Sequence, residues 1–175
     1  MIWAERLGRD THARVPHHGH QTRQQITFQS MPHALINNLV HCVFSTKERA
    51  NSIPDPPKLC QYLGGVAREK NIPLLIAGGT NNHVHLLIAL PAAIPLAQAI
   101  RDLKGNSSRW MTEHGSAFAW QEGYGAFSVS ASNKKAVVQY IADQPKHHEK
   151  RSFEDEFRVL LERSGVNVDP KYMFG

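Results

Sequence analysis

His83-Val84-His85, near the start of an apolar run, and Tyr140, followed four residues later by Gln144, are the residues whose types and spacing could do chemistry. In a strand, residues two apart point to the same face with Cα atoms roughly 6.6 Å apart, so two imidazoles stand side by side while Val84 enters a core. In a helix, residues four apart share a face, which lets Tyr140 and Gln144 point into one site. Two imidazoles, an amide oxygen and a phenol are what attack on a phosphodiester through a tyrosine-linked intermediate would need. A free phenol, with a pKa of about 10, needs help to attack at neutral pH. A divalent ion can polarise a phosphate oxygen and stabilise the charge that builds up during displacement.

Each pair also has a plainer reading. An HxH pair occurs in buried strands with no ligand, and a lone helical tyrosine is more often an anchored core residue. Two features favour the chemistry. Gly78-Gly79-Thr80-Asn81-Asn82, just ahead of the histidines, has no bulky side chain and leaves room for a metal and a substrate strand. Asp143, Gln144, His147 and His148 follow Tyr140 at three, four, seven and eight residues, near one helical face, while Val137, Val138 and Ile141 supply core contacts. The alternative is a solvated polar face. Imidazole with an oxygen ligand suits Mn²⁺, Zn²⁺ or Co²⁺, and serves Mg²⁺ where a substrate phosphate completes the shell. His41 is a candidate extra ligand. Pro145 removes the amide that would bond to Ile141 and is expected to kink or end the helix just past Gln144.

A third group, Arg101, Lys104, Asn106, Ser107, Ser108, Arg109 and Trp110, mixes cations, small hydrogen-bonding groups and an aromatic ring. Phosphate contacts with base stacking suit single-stranded or hairpin DNA. A solvated helix face with one buried Trp110 has the same composition.

The elements that must position these groups follow from periodicity. Ala34–Thr46 reads as a strand, and Pro57 suits the first turn of a helix carrying Leu59, Leu63, Val66 and Ala67 to about Asn71. Pro73–Thr80 and His83–Leu90 read as two strands joined through Asn81-Asn82. Pro95 opens a helix to about His114, and Ala126–Ser130 is a short strand. Ser132 or Asn133 can cap the helix bearing Tyr140, and a final helix, Phe153–Ser164, ends at Gly165. The order β-α-β-β-α-β followed by helices predicts an α+β, ferredoxin-like sheet with added C-terminal helices.

A chain of 175 residues is normally one domain with a real core. Its net charge of +5 and pI near 9.4 favour a polyanionic partner. Residues 1–30 hold Arg6, Arg9, Arg14 and Arg23 against Glu5 and Asp10, so +2 of that charge lies there and +3 in the remainder. That segment also carries His12, His17, His18 and His20 without sustained periodicity. It reads as a disordered N-terminal extension, residues 1–31, or as translated upstream sequence with the natural start at Met31; a metal-binding tract is the functional alternative. Residues 32–175 form the single expected domain. Cys42 and Cys60 have no metal or CxxC spacing and point to a reducing compartment. No apolar stretch approaches the roughly 20 residues needed to cross a bilayer, and the N-terminus lacks a signal-peptide apolar region. A cytoplasmic protein without membrane contact is the expectation.

Five stretches then carry a resemblance: Asn82–Leu90 (NHVHLLIAL), Leu103–Trp110 (LKGNSSRW), Phe118–Ser130 (FAWQEGYGAFSVS), Tyr140–His148 (YIADQPKHH) and Ser152–Leu161 (SFEDEFRVLL). Together they resemble the single-tyrosine HUH transposases, including the REP-associated tyrosine transposases. The resemblance implies a ferredoxin-like fold, His83 and His85 as metal ligands, Gln144 as the third ligand and Tyr140 as the nucleophile. It implies a divalent ion, Mg²⁺ or Mn²⁺, and single-stranded DNA with subterminal hairpins, cleaved and rejoined through a 5′-phosphotyrosine. It also implies a homodimer, in which Tyr140 of one subunit can complete the site of the other. The residue before the glutamine is often Asn in that family; here it is Asp143. The alternatives are a domesticated hairpin-DNA-binding protein without transposition activity and, from another class, a metallohydrolase for small molecules.

Overall fold

The computed structural model of this chain describes residues 35–115, 117–149 and 151–169. The expected extension, residues 1–31, lies outside the described residues. The elements are β1 (Leu39–Ser45), α1 (Pro56–Glu69), β2 (Leu74–Gly79), β3 (His83–Ala89), α2 (Leu96–Glu113), β4 (Gly125–Val129), α3 (Lys134–Ala142), α4 (Gln144–His148) and α5 (Phe153–Arg163). The four strands form one antiparallel sheet in the order β2-β3-β1-β4. This is the expected ferredoxin-like α+β arrangement with added C-terminal helices.

Local chemistry sets the element ends. Asp55 accepts from the Lys58 backbone amide at 3.0 Å to cap α1, with proline in the first turn. Ser152 accepts from the Asp155 amide at 3.1 Å to cap α5, whose first turn holds Glu154, Asp155 and Glu156 where the helix dipole favours anions. Past Ser164, Gly165 takes a φ of 68°, the left-handed conformation a glycine adopts without strain.

Two elements differ from the sequence reading by more than a residue or two at an end. β1 begins at Leu39, not Ala34; Leu35 and Ile36 are exposed and unpaired with the sheet. The tyrosine helix is two helices: α3 stops at Ala142, and α4 restarts at Gln144 with Pro145 in its first turn. A proline lacks the amide that would continue the α3 ladder but loses nothing in a first turn, where that amide has no helical partner.

The sheet is covered on both faces. Val40, Cys42, Phe44, Val84, Leu86 and Ile88 join Leu59, Leu63, Ile100 and Leu103 in the main core beneath α1 and α2. The alternate residues of the same strands, His41, Val43, His83, His85 and Leu87, face α3, α4 and α5. There Leu87 packs with Ile141, and Val43 with Phe153 and Leu161. This double covering buries every residue of β1, which is why its sequence alternates so weakly. Among the described residues no helix is long and apolar enough to cross a membrane.

Candidate active site

Glycine brings the tyrosine helix down onto the histidines. A Cβ at Gly78 would collide with the carbonyl oxygen of Ile141, so β2 accepts the backbone of α3 in direct contact only because Gly78 has no side chain. β3 presents His83 and His85 toward that helix, opposite Ser45 and Val43 of β1. Tyr140 then lies with its ring centroid 5.9 Å from that of His85, and Gln144 Oε1 lies 3.2 Å from His83 Nε2. His83, His85, Tyr140 and Gln144 therefore converge within one chain. His83, His85 and Gln144 are fully buried.

Glu156 of α5 completes the cluster. Its Oε2 is 2.8 Å from His148 Nε2, 3.4 Å from His85 Nε2 and 3.7 Å from His83 Nε2. Its Oε1 accepts from Gln144 Nε2 at 2.7 Å and from the Tyr140 hydroxyl. Ligand atoms of His83, His85 and Glu156 all fall within 4.8 Å of one another. No role was assigned to Glu156 from the sequence. The signal was there: Phe153, Glu156, Phe157 and Leu160 recur at helical spacing, and a carboxylate on an apolar helical stripe must have buried partners.

The hydrogen bonds around the cluster aim lone pairs inward. Asn82 Oδ1 accepts from the Thr80 hydroxyl at 3.1 Å and faces His83 Nδ1 at 2.7 Å, so Nδ1 carries the proton and Nε2 is a bare acceptor. Burial, followed by the fields of His85 and His148, lowers the His83 pKa to about 3 and keeps the ring neutral. The bond from Gln144 Nε2 to Glu156 fixes the amide with its oxygen toward His83. His83 Nε2 and Gln144 Oε1 thus confront each other as two acceptors. His85 pairs through Nδ1 with His41 Nε2 at 2.9 Å, and its Nε2 has no hydrogen-bond partner although buried. The 3.4 Å approach of Glu156 to that nitrogen has the distance of a hydrogen bond without the geometry. Burial also lowers the pKa of His85, so neither approach to Glu156 is an ion pair. A cation among these atoms resolves every conflict at once. The donor set fits a divalent ion.

Burial alone would raise the pKa of Glu156, but His148, His85 and Gln144 around its oxygens outweigh this and hold it well below the usual carboxylate range. Burial, and then the bond to Glu156, push the Tyr140 phenol above its ordinary value. In this arrangement the phenol is protonated and donates to an ionised carboxylate.

The rest of the polar stripe divides. His148 turns inward, its ring 4.4 Å from that of His83, and His147 lies 5.1 Å from Tyr140. Asp143 turns away to Gln139 at 2.7 Å and Lys146 at 3.8 Å.

The α2 group fares worse as a DNA surface. Ser107 is buried, donates to Leu103 O at 2.7 Å and accepts from Trp120 Nε1 at 3.0 Å, which corrects its assignment to a DNA contact: its hydroxyl is committed inside the core. Lys104 donates to the carbonyls of Gln121 and Gly123, both at 2.7 Å, pinning the loop before β4. Asn106 bonds Asp102 O at 2.7 Å, and Trp110 stacks on Tyr62 at 4.6 Å. Of the group, only Arg101 and Arg109 are exposed. α2 also covers the sheet face opposite the histidines.

A four-stranded ferredoxin-like sheet, with a histidine pair on one strand and Tyr140 of α3 and Gln144 of α4 laid over it, defines the class. The sequence pattern of the family described as transposase, IS200 like, matches residues 35–144, and the chain belongs to that family. Its fold is similar to a solved candidate transposase from Deinococcus radiodurans R1, at 22% identity over 65% of this chain and 96% of that one, with a TM-score of 0.51. It is also similar to a REP-associated tyrosine transposase solved bound to a REP hairpin, at 14% identity over 75% of this chain and 83% of that one, with a TM-score of 0.52. No protein of curated function matches the chain. The resemblance seen in the sequence is thus matched by family and by fold, and the family is one of transposases.

Proposed function

We propose that this transposase cleaves and rejoins single-stranded DNA through a 5′-phosphotyrosine on Tyr140. The observation that carries the proposal is the meeting of Tyr140 with His83, His85, Gln144 and Glu156 in one buried cluster whose lone pairs point inward. His83, His85 and Gln144 would hold a divalent ion, with Glu156 as an added carboxylate ligand; Mg²⁺ or Mn²⁺ suits the mixed nitrogen and oxygen donors. When bound, the ion supplies charge stabilisation at a phosphate oxygen.

The chain's own groups do the rest. Glu156 Oε1 accepts the phenolic hydrogen and orients the Tyr140 oxygen. That oxygen forms a bond to phosphorus, the bond from phosphorus to the 3′-oxygen breaks, and the phenolic proton passes in net to the released 3′-hydroxyl. The phosphotyrosine keeps the bond energy, so a second 3′-hydroxyl can reverse the step and join a new strand. Hairpin DNA is the proposed substrate, supported by the chain's basic charge and by the hairpin bound to the similar solved transposase. A homodimer and a cytoplasmic location are part of the same proposal.

The test is incubation of the protein with labelled hairpin DNA from the gene's flanks and Mn²⁺, resolved on a denaturing gel. A slow-migrating adduct, absent in Tyr140→Phe, is expected. An adduct that persists in Tyr140→Phe overturns the nucleophile. Hairpin binding with no adduct from the wild type favours the domesticated DNA-binding protein.

A further inference from the structure

We propose that the groove between α3 and α5 is the track that holds the single-stranded DNA backbone over Tyr140, with Arg151 and Arg163 each engaging a phosphate. This rests on the reading of Tyr140 as the nucleophile. The groove encloses about 370 Å³, with His41 of the sheet, Tyr140 and Glu156 in its lining, apolar walls that include Val137 and Leu160, and both arginines at its margin.

Three observations point to a nucleic acid strand. First, neither guanidinium makes a hydrogen bond or ion pair with the described residues, whereas Arg49 and Arg158 are tied to Glu154 and Asp155 at 2.6 and 3.6 Å. A guanidinium is a planar fork of donors that matches phosphate oxygens in pairs. Second, Arg151 precedes the first residue of α5 by two and Arg163 is its last, so the two stand at opposite ends of an eleven-residue helix spanning about 16 Å. A lone phosphate or mononucleotide is too short to meet both; a backbone with successive phosphates is not. Third, Tyr140 lines the same groove as both arginines. A strand along the groove would therefore pass the nucleophile between its two cationic anchors, with the apolar walls available to base faces.

The experiment measures binding of the full-length protein to fluorescein-labelled oligothymidylate by anisotropy across a salt series. Each phosphate contact to a single strand contributes about 0.7 to the slope of log affinity against log salt. Arg151→Gln with Arg163→Gln is expected to reduce that slope by about 1.4. The corresponding lysine variants should keep it, and Arg68→Gln on α1 should leave it unchanged. An unaltered slope in the double glutamine variant overturns the proposal, as does failure of the wild type to bind the oligonucleotide at low salt. The hairpin adduct assay, run in parallel, separates this from the underlying reading. An adduct with an unaltered slope removes only the groove; a lowered slope without an adduct supports the groove and removes the nucleophile.

Discussion

On one face of the sheet, Val84, Leu86 and Ile88 sink into a core with Leu59, Leu63 and Leu103; one residue along the same strand, His83 and His85 meet Gln144, Tyr140 and Glu156 on the other. Both layers are buried, and they hold together for different reasons. The apolar face needs volume and close contact, and most large side chains that fill it can be exchanged at moderate cost. The polar face needs direction: each imidazole works only with the correct nitrogen bare, and each proton is placed by a neighbour such as Asn82, His41 or Glu156. The first face makes the sheet stable. The second places an inward-facing acceptor set under a phenol, which hydrophobic packing alone would not leave there.

The comparison is broken most severely on the apolar face. Leu86→Ala is expected to lower unfolding stability by about 2–5 kcal/mol, read as a lower urea midpoint, because it opens a cavity that nothing can fill. Mn²⁺ affinity of the folded fraction should be unchanged; a matching loss of affinity would show that the two faces are not separable. Next comes the polar face with and without its ion. Saturating Mn²⁺, at roughly a hundred times its dissociation constant, should stabilise the chain by about 2.7 kcal/mol over the chelated protein. The combined His83→Ala and His85→Ala variant should show no such gain in thermal unfolding. A gain that survives both substitutions would place the ion elsewhere.

His41 sharpens the contrast further. Its bond to His85 Nδ1 leaves His85 Nε2 bare when His85 is the donor, and on that assignment His41→Phe should weaken Mn²⁺ binding by about 10–100-fold. The melting temperature of the chelated protein should hardly move. The reverse pattern, lost stability with intact affinity, would make His41 a packing residue.

A further contrast is in pH. His41 and His83 have pKa values lowered to about 3 by burial, and His85 is lowered too, so the fold keeps all three neutral. Below about pH 6.5 the unfolded chain takes up protons that the fold refuses, and stability must fall as pH drops toward 3. Glu156 acts in the same direction: held below its ordinary range, it adds stability above the unfolded carboxylate pKa and loses it in acid. Cys42, on the apolar face, is pushed up to about 12 by burial and stays a thiol throughout. The metal-free urea midpoint should therefore be lower at pH 5 than at pH 7.5. Equal midpoints would mean that the histidines are not held neutral.

Local pattern carried a large part of this molecule. The HVHLLIAL run announced a buried strand with two histidines on one face, the Leu59-Leu63-Val66 spacing announced α1, and Pro95 and Gly165 marked helix ends. The spacing of Tyr140 and Gln144 announced a shared face, and it survives the break at Asp143 because Pro145 restarts the helix at once. The sheet order followed from element order and the strong rules that govern short connections. These features depend on residues near one another in the chain, where period and propensity act.

What pattern could not carry was partnership. Composition made Ser107 and Lys104 equal candidates for DNA, and only the fold turned one into the core and the other onto two loop carbonyls. Glu156 stands on an apolar helical stripe that marks it for burial, but its partners emerged only when α5 folded back across the sheet and set it between His148, Gln144 and Tyr140. Arg151 and Arg163 share a groove for the same reason. The sequence by itself determined the elements, the histidine pair and the tyrosine, because each is fixed by side chains a turn or a pleat apart. Tertiary structure alone decided which carboxylate meets them, which nitrogen is bare and where a strand can lie, because those depend on burial and on groups that the chain brings together from opposite ends.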